Sequence, residues 1–92
     1  MLKITIHNAA GQLRLELAGR LAGAWVCELE HCWYIAKASH PHRQLSVDLT
    51  GVTFIDQAGR YLLQLMHYDG VRFVASSLML QDIFDHSTGT TG

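Results

Sequence analysis

Long apolar runs are what this 92-residue chain most plainly lacks. None approaches the ~20 residues that span a bilayer. The opening "MLKITIHNAAGQ" also has no apolar block of the signal-peptide kind, so a cytoplasmic protein with no direct membrane insertion is expected. Charge is sparse: charged residues make up 16% of the chain, against about 25% in soluble domains at large. Lys and Arg are scattered singly, at positions 3, 14, 20, 37, 43, 60 and 72, and the formal net charge is −1. Without a basic stripe to neutralise phosphates, no nucleic acid partner is expected.

Cysteine is nearly absent. Cys27 and Cys32 lie five apart in a stretch that reads as one helix, where they point in different directions and cannot reach disulfide geometry. Reduced thiols are expected. Cys27 and His31 have the i,i+4 spacing of two zinc ligands, with His40 and His42 just beyond, but no second Cys/His pair has a recognisable spacing and no metal is expected. A phosphate cradle is missing too, since "AGRLAG" precedes a helix without the Lys or Ser/Thr of a P-loop. Asp48 and Asp56, with the hydroxyls of Ser46, Thr50 and Thr53, lie around one strand-loop junction, yet no His is near in sequence to activate a nucleophile. Such an Asp is expected to bond local backbone instead. The chain reads as no enzyme, with no cofactor.

What is present is the hydrophobic half of the composition, 49%, enough for one small domain that buries roughly 60–65% of its unfolded surface. "LKITIHN" alternates Leu2, Ile4 and Ile6 against Lys3, Thr5 and His7, the period of a half-buried strand. After "AAGQ", Leu13, Leu15 and Leu17 alternate with Arg14 and Glu16, so an antiparallel hairpin is expected. Gly19 and Gly23 should loosen the chain before a helix over 24–38, with Trp25, Leu29, Cys32, Trp33 and Ala36 on its inner face. "SHPHR" carries the lone proline, Pro41, and ends that helix. "QLSVDL" reads as a central strand. Asp56 is placed to cap a helix over 57–69, with Leu62, Leu65 and Met66 inward and Gly70 at its C-terminal stop. "VRFVAS" returns as a strand and "LMLQDIFDH" as a last helix, with Leu80, Ile83 and Phe84 inward.

The stretch "LSVDLTGVTFIDQAGRYLLQLMHYDGVRFVASS" resembles the STAS domain family of sulfate-transporter and anti-sigma-factor-antagonist domains. Its marks are an apolar strand ending in Asp-Leu-Ser/Thr-Gly, a loop of the Asp-Ser-Ser-Gly type, a helix, and a strand opened by Gly. Asp48, Gly51, Asp56 and Gly59 stand in register, and the resemblance runs from Leu2 to about His86. It implies a STAS-like α/β fold over 1–86: a single-layer mixed sheet of about four strands, with an N-terminal antiparallel hairpin, parallel βαβ crossovers and helices mainly on one face. A flexible polar tail over 87–92 follows. The family tends to carry a further strand and helix there, so either the sheet is expected to be shorter or its last edge to be covered by another chain.

In phosphorylatable members the second serine of the loop accepts phosphate from a partner kinase, which places about −1.5 to −2 charges at a helix N-terminus. Here the two serine positions hold Gln57 and Ala58, and a methyl group takes no phosphate. The resemblance therefore implies a non-catalytic interaction domain of the anti-sigma-factor-antagonist type in bacterial regulation, not switchable at Ala58. Asp56 would fix the loop; Gln57, Ala58, Gly59 and Arg60 would form its exposed tip against an anti-sigma factor or kinase-like regulator. N-capping alone also accounts for Asp56. Two other readings stand beside this one: a small cytosolic STAS subunit docking on the ATPase of a lipid or solute ABC-type transporter, and a small-ligand-binding module using an apolar crevice near the loop. Trp25, Trp33, Tyr34, Tyr61 and Tyr68 exceed what so small a core needs, which points to association, a homodimer included.

Overall fold

The computed structural model describes residues 1–9 and 11–85; the polar tail expected over 87–92 lies outside the described residues. Four strands form one sheet in the order β1 (Leu2–Ala9), β2 (Gln12–Leu21), β3 (Gln44–Ile55), β4 (Arg72–Val74). β1 and β2 pair antiparallel, with Ile4 opposite Leu17 and Ile6 opposite Leu15. The remaining pairs, β2 with β3 and β3 with β4, are parallel. Parallel neighbours need a crossover, and α1 (Ala24–Ser39) and α2 (Gln57–Tyr68) supply the two. The mixed sheet, hairpin and crossovers are those expected from the sequence.

Alternation decides which face the helices cover. Leu13, Leu15, Leu17 and Leu21 of β2 are buried together with Leu45, Val47 and Leu49 of β3, and they meet Leu29, Trp33 and Ala36 of α1 and Leu62, Leu63 and Met66 of α2. The opposite face is polar. There His7 meets Glu16 at 2.7 Å, Arg14 lies 3.8 Å from Asp48, and the Arg20 guanidinium sits 4.2 Å above the Phe54 ring. Asp48 is thus in mid-strand on the open face, not at a strand-loop junction with Asp56. It accepts from the Thr50 amide at 2.9 Å and the Thr50 hydroxyl at 2.6 Å. Those two bonds, chiefly, hold its carboxyl below the ordinary range against a small opposing effect of burial.

Several expectations need correction. Gly19 does not loosen a linker; it lies inside β2 at φ 108°, beside a register shift, where a Cβ would come within 2.2 Å of the Met1 carbonyl oxygen. On α1, Trp25 is exposed rather than inward, as are Tyr34 and Ile35. That helix is apolar around much of its circumference, so spacing alone does not select its inner face. On α2 Leu63 joins Leu62 and Met66 inward in place of Leu65, which is 40% exposed. Beyond β4, α3 (Ser77–Leu80) opens with the Ser76 hydroxyl accepting from the Met79 amide and runs into a π-helical turn, Gln81–Asp85. Ile83 of that turn is buried, and Phe84 stacks on His67 at 4.6 Å and meets Phe73 at 5.0 Å.

α2 stops as the sequence predicts. Val71 N–H donates to the Met66 carbonyl and Gly70 N–H to the His67 carbonyl, each at 3.0 Å, while Val71 and Met66 are both buried. This is a Schellman closure, and it turns the chain directly into β4. Gly70 stands at φ 100°, with nothing within 4 Å of where a Cβ would be. Gly70→Ala should therefore lower stability by about 1–2 kcal/mol through backbone strain alone, as read by urea unfolding; an unchanged midpoint would show that the stop does not depend on the left-handed residue.

Candidate functional site

β3 ends at Ile55, and the chain turns into α2 through Asp56, whose extended backbone (φ −83°, ψ 179°) is that of an N-cap. One carboxylate oxygen accepts from the Gly59 amide at 2.7 Å; the other accepts from the Gly23 amide at 3.0 Å. Gly23 is the N-cap of α1 and brings no side chain of its own to that helix start. The Asp56 amide donates to the Leu21 carbonyl at 3.1 Å. One residue thus joins the end of β2 and the starts of both crossover helices. Two positive helix ends face a single carboxylate. The Gly23 and then the Gly59 hydrogen bond hold the Asp56 carboxyl below its ordinary value of 3.8.

Gly59 completes the junction by what it omits. A Cβ there would stand 2.9 Å from the Leu21 carbonyl oxygen, 3.0 Å from Ile55 Cγ2 and 3.1 Å from Leu21 Cγ. The first turn of α2 is therefore pressed against the ends of β2 and β3, and Gly59 is buried rather than part of an exposed tip. Arg60 is half-buried and turned back on its own chain: its guanidinium meets the Asp82 carboxylate at 2.6 Å and the Asp82 carbonyl at 3.0 Å. Of the five residues expected to form the site, Gln57 and Ala58 face solvent, and Asp56, Gly59 and Arg60 hold them in place.

Of the exposed apolar neighbours of that pair, Tyr61 and Tyr68 are among the aromatics the sequence sets apart for association, whereas Leu65 was expected inward. Tyr61, Leu65 and Tyr68 follow Ala58 along the outer side of α2 and are 64%, 40% and 93% exposed. Two apolar stripes interleave on this helix, 62-63-66 and 61-65-68. The available signal was Gly59, which belongs to the first stripe and marks the side pressed against the sheet. Nothing at Gln57 or Ala58 can act as a nucleophile. Elsewhere, burial first and Glu28 second push the Cys32 thiol up, away from its reactive thiolate form. Among the described residues no three His, Cys, Asp or Glu side chains gather to hold a metal ion.

Two outcomes are expected. Gly59→Ala should destabilise the chain by about 1–3 kcal/mol by overpacking, although alanine is the better helix former; a stabilised variant in urea would contradict the close approach. Asp56→Asn keeps an oxygen for Gly59 but loses a charge and the acceptor for Gly23. Because the folded carboxyl titrates below the unfolded value of 3.8, its contribution is present above that pH and is lost as pH falls through the lower folded value. The stability gap between wild type and Asp56→Asn should accordingly narrow on acidification below 3.8; a gap constant with pH would remove the carboxylate's charge from the account.

No family model and no curated protein matches the chain. Solved structures do match. Mglu is similar with a TM-score of 0.61 and 19% identity, over 79% of this chain and 19% of that one, so this chain spans about a fifth of Mglu. An uncharacterized protein of the DUF3478 family with a SpoIIAA-like fold, from Shewanella loihica PV-4, is similar with a TM-score of 0.59 and 14% identity, over 97% of this chain and 79% of that one. At such identities the likeness is one of fold, and the fold of this chain is SpoIIAA-like, that is, STAS-like.

Proposed function

We propose that the chain is a STAS-family interaction domain of the anti-sigma-factor-antagonist type, non-catalytic and cytoplasmic, which docks a regulatory protein through the start of α2. The observation that carries this reading is the pair Gln57 and Ala58, exposed on a turn whose other members are fixed from three sides. A rigid presentation loses little conformational entropy on binding. The exposed Tyr61 alongside is the residue type that anchors protein interfaces. Neither exposed position carries a hydroxyl, so the surface keeps one charge state. The SpoIIAA-like fold is consistent with the reading and supports it at the level of architecture.

Arg60 is a poor probe of docking, because its substitution would also free Asp82. Ala58→Arg and Tyr61→Ala alter exposed side chains, and each should change folding stability by no more than about 0.5 kcal/mol. If Tyr61 is an anchor, its loss should weaken capture of a co-purifying anti-sigma-factor or kinase-like regulator by about 2 kcal/mol, roughly 30-fold. Ala58→Arg should do the same by steric block. Both are measured by titration against the immobilised partner, and wild-type affinity in both variants would end the proposal.

A further inference from the structure

At the other end of the two crossover helices, where α1 and α2 finish and β2 and β3 begin, a cavity of about 320 Å³ opens. It is distinct from any crevice beside the α2 turn. Leu13, Ala36, Leu45 and Val71 give it apolar walls, and Lys37 and Arg43 stand among its polar residues. Trp33 lines it as well, and two features of this region bear on what it could hold. Trp33 is 5% exposed, and its indole Nε1 is the one buried side-chain nitrogen or oxygen among the described residues without a hydrogen-bond partner. Buried donors are almost always satisfied. The second feature is Arg43. Its guanidinium donates to the Asn8 side-chain oxygen and, at 3.5 Å, to the Ala9 carbonyl, both neutral, and no carboxylate pairs with it among the described residues. Lys37, in contrast, is matched by Asp69 at 3.0 Å.

We propose that this cavity binds a small monocarboxylate with an apolar body, its carboxylate on Arg43 and the Trp33 indole N–H, its hydrocarbon against Leu13, Leu45 and Val71. A planar guanidinium fork suits a carboxylate. The C-terminal ends of two helices and Asp69 lie beside it and oppose negative charge, so the cavity takes no more than one carboxylate, and that one only against the Arg43 and Lys37 cations. At about 30 Å³ per water-sized unit, the volume admits roughly ten non-hydrogen atoms, the size of octanoate. The indole nitrogen is closed to water. Binding there therefore requires a covering side chain to move, and Lys37, whose Nζ lies 4.9 Å from the Trp33 ring centroid, is a neighbour that can.

The test is titration of the full chain with octanoate, followed through the two indole N–H signals of a ¹H–¹⁵N spectrum, assigned with Trp25→Phe. The Trp33 signal should move saturably with octanoate and stay in place with equal concentrations of octan-1-ol or inorganic phosphate. Arg43→Gln should weaken octanoate binding by about ten- to hundredfold, the effect of removing hydrogen bonds to a charged group. Should that variant not fold, Arg43→Lys, which keeps the charge and loses the fork, should weaken it as well. Trp33→Phe should bind octanoate more weakly while resisting urea better, since it removes the orphan donor. A Trp33 signal unmoved by octanoate, an equal response to octan-1-ol or to phosphate, or unchanged affinity in the Arg43 variant or in Trp33→Phe would each overturn the proposal.

Discussion

The Leu21 carbonyl is the point on which the start of α2 depends. It accepts the Asp56 amide at 3.1 Å and would lie 2.9 Å from any Cβ at Gly59. A backbone carbonyl at a strand end needs a donor when covered, and here the next strand's exit supplies one while a glycine lets the helix close over it. From that contact the rest follows: the Asp56 side chain is placed between two helix starts, and its two oxygens serve donors 33 and three residues away in sequence. Removing the glycine would push α2 outward and lengthen both carboxylate bonds at once. The junction is therefore cooperative, a small network whose members are satisfied together.

Much of the architecture was legible because it rests on short-range rules. The β2 alternation, the Asp56 cap and the Gly70 stop each depend on residues within a few positions of one another, and the structure places them as expected, whereas on β1 Ile6, expected on the buried face with Leu2 and Ile4, is 57% exposed. The failures were of another kind. Trp25 and Leu65 each sit on a helix with apolar residues on two sides, and which side faces the sheet is settled by contacts to distant strands. Gly19 was read as a breaker because its role, admitting the Met1 carbonyl beside it, is a contact between strands. Gly59 was read as part of an exposed tip for the same reason. In each case the missing information was tertiary, and the glycines were its only trace in the sequence.

The turn at Asp56 was legible in position and not in exposure. Five consecutive residues were expected to share one role, and the fold divides them, with two outward and three holding the turn. Arg60 shows why. A charged side chain one turn into a helix is expected at the surface, yet Asp82 on the π-helical turn draws it sideways along α2. With Gln64 donating to the Ile83 carbonyl at 2.8 Å and His67 stacked on Phe84, that flank of α2 is occupied by the chain itself. The other flank, with Ala58, Tyr61, Leu65 and Tyr68, faces outward.

That asymmetry constrains how a partner could approach under the proposed function. A protein seated on Gln57 and Ala58 alone would cover far less than the roughly 800 Å² per side of a standard interface. Extension toward Arg60 meets the π-helical turn, whereas extension along Tyr61, Leu65 and Tyr68 meets exposed apolar side chains. A footprint running down the outer flank of α2 is thus the one geometry that combines the fixed turn with sufficient area. Phosphate at the helix start would alter only the first turn of such a footprint, while the tyrosines below would supply most of its buried surface.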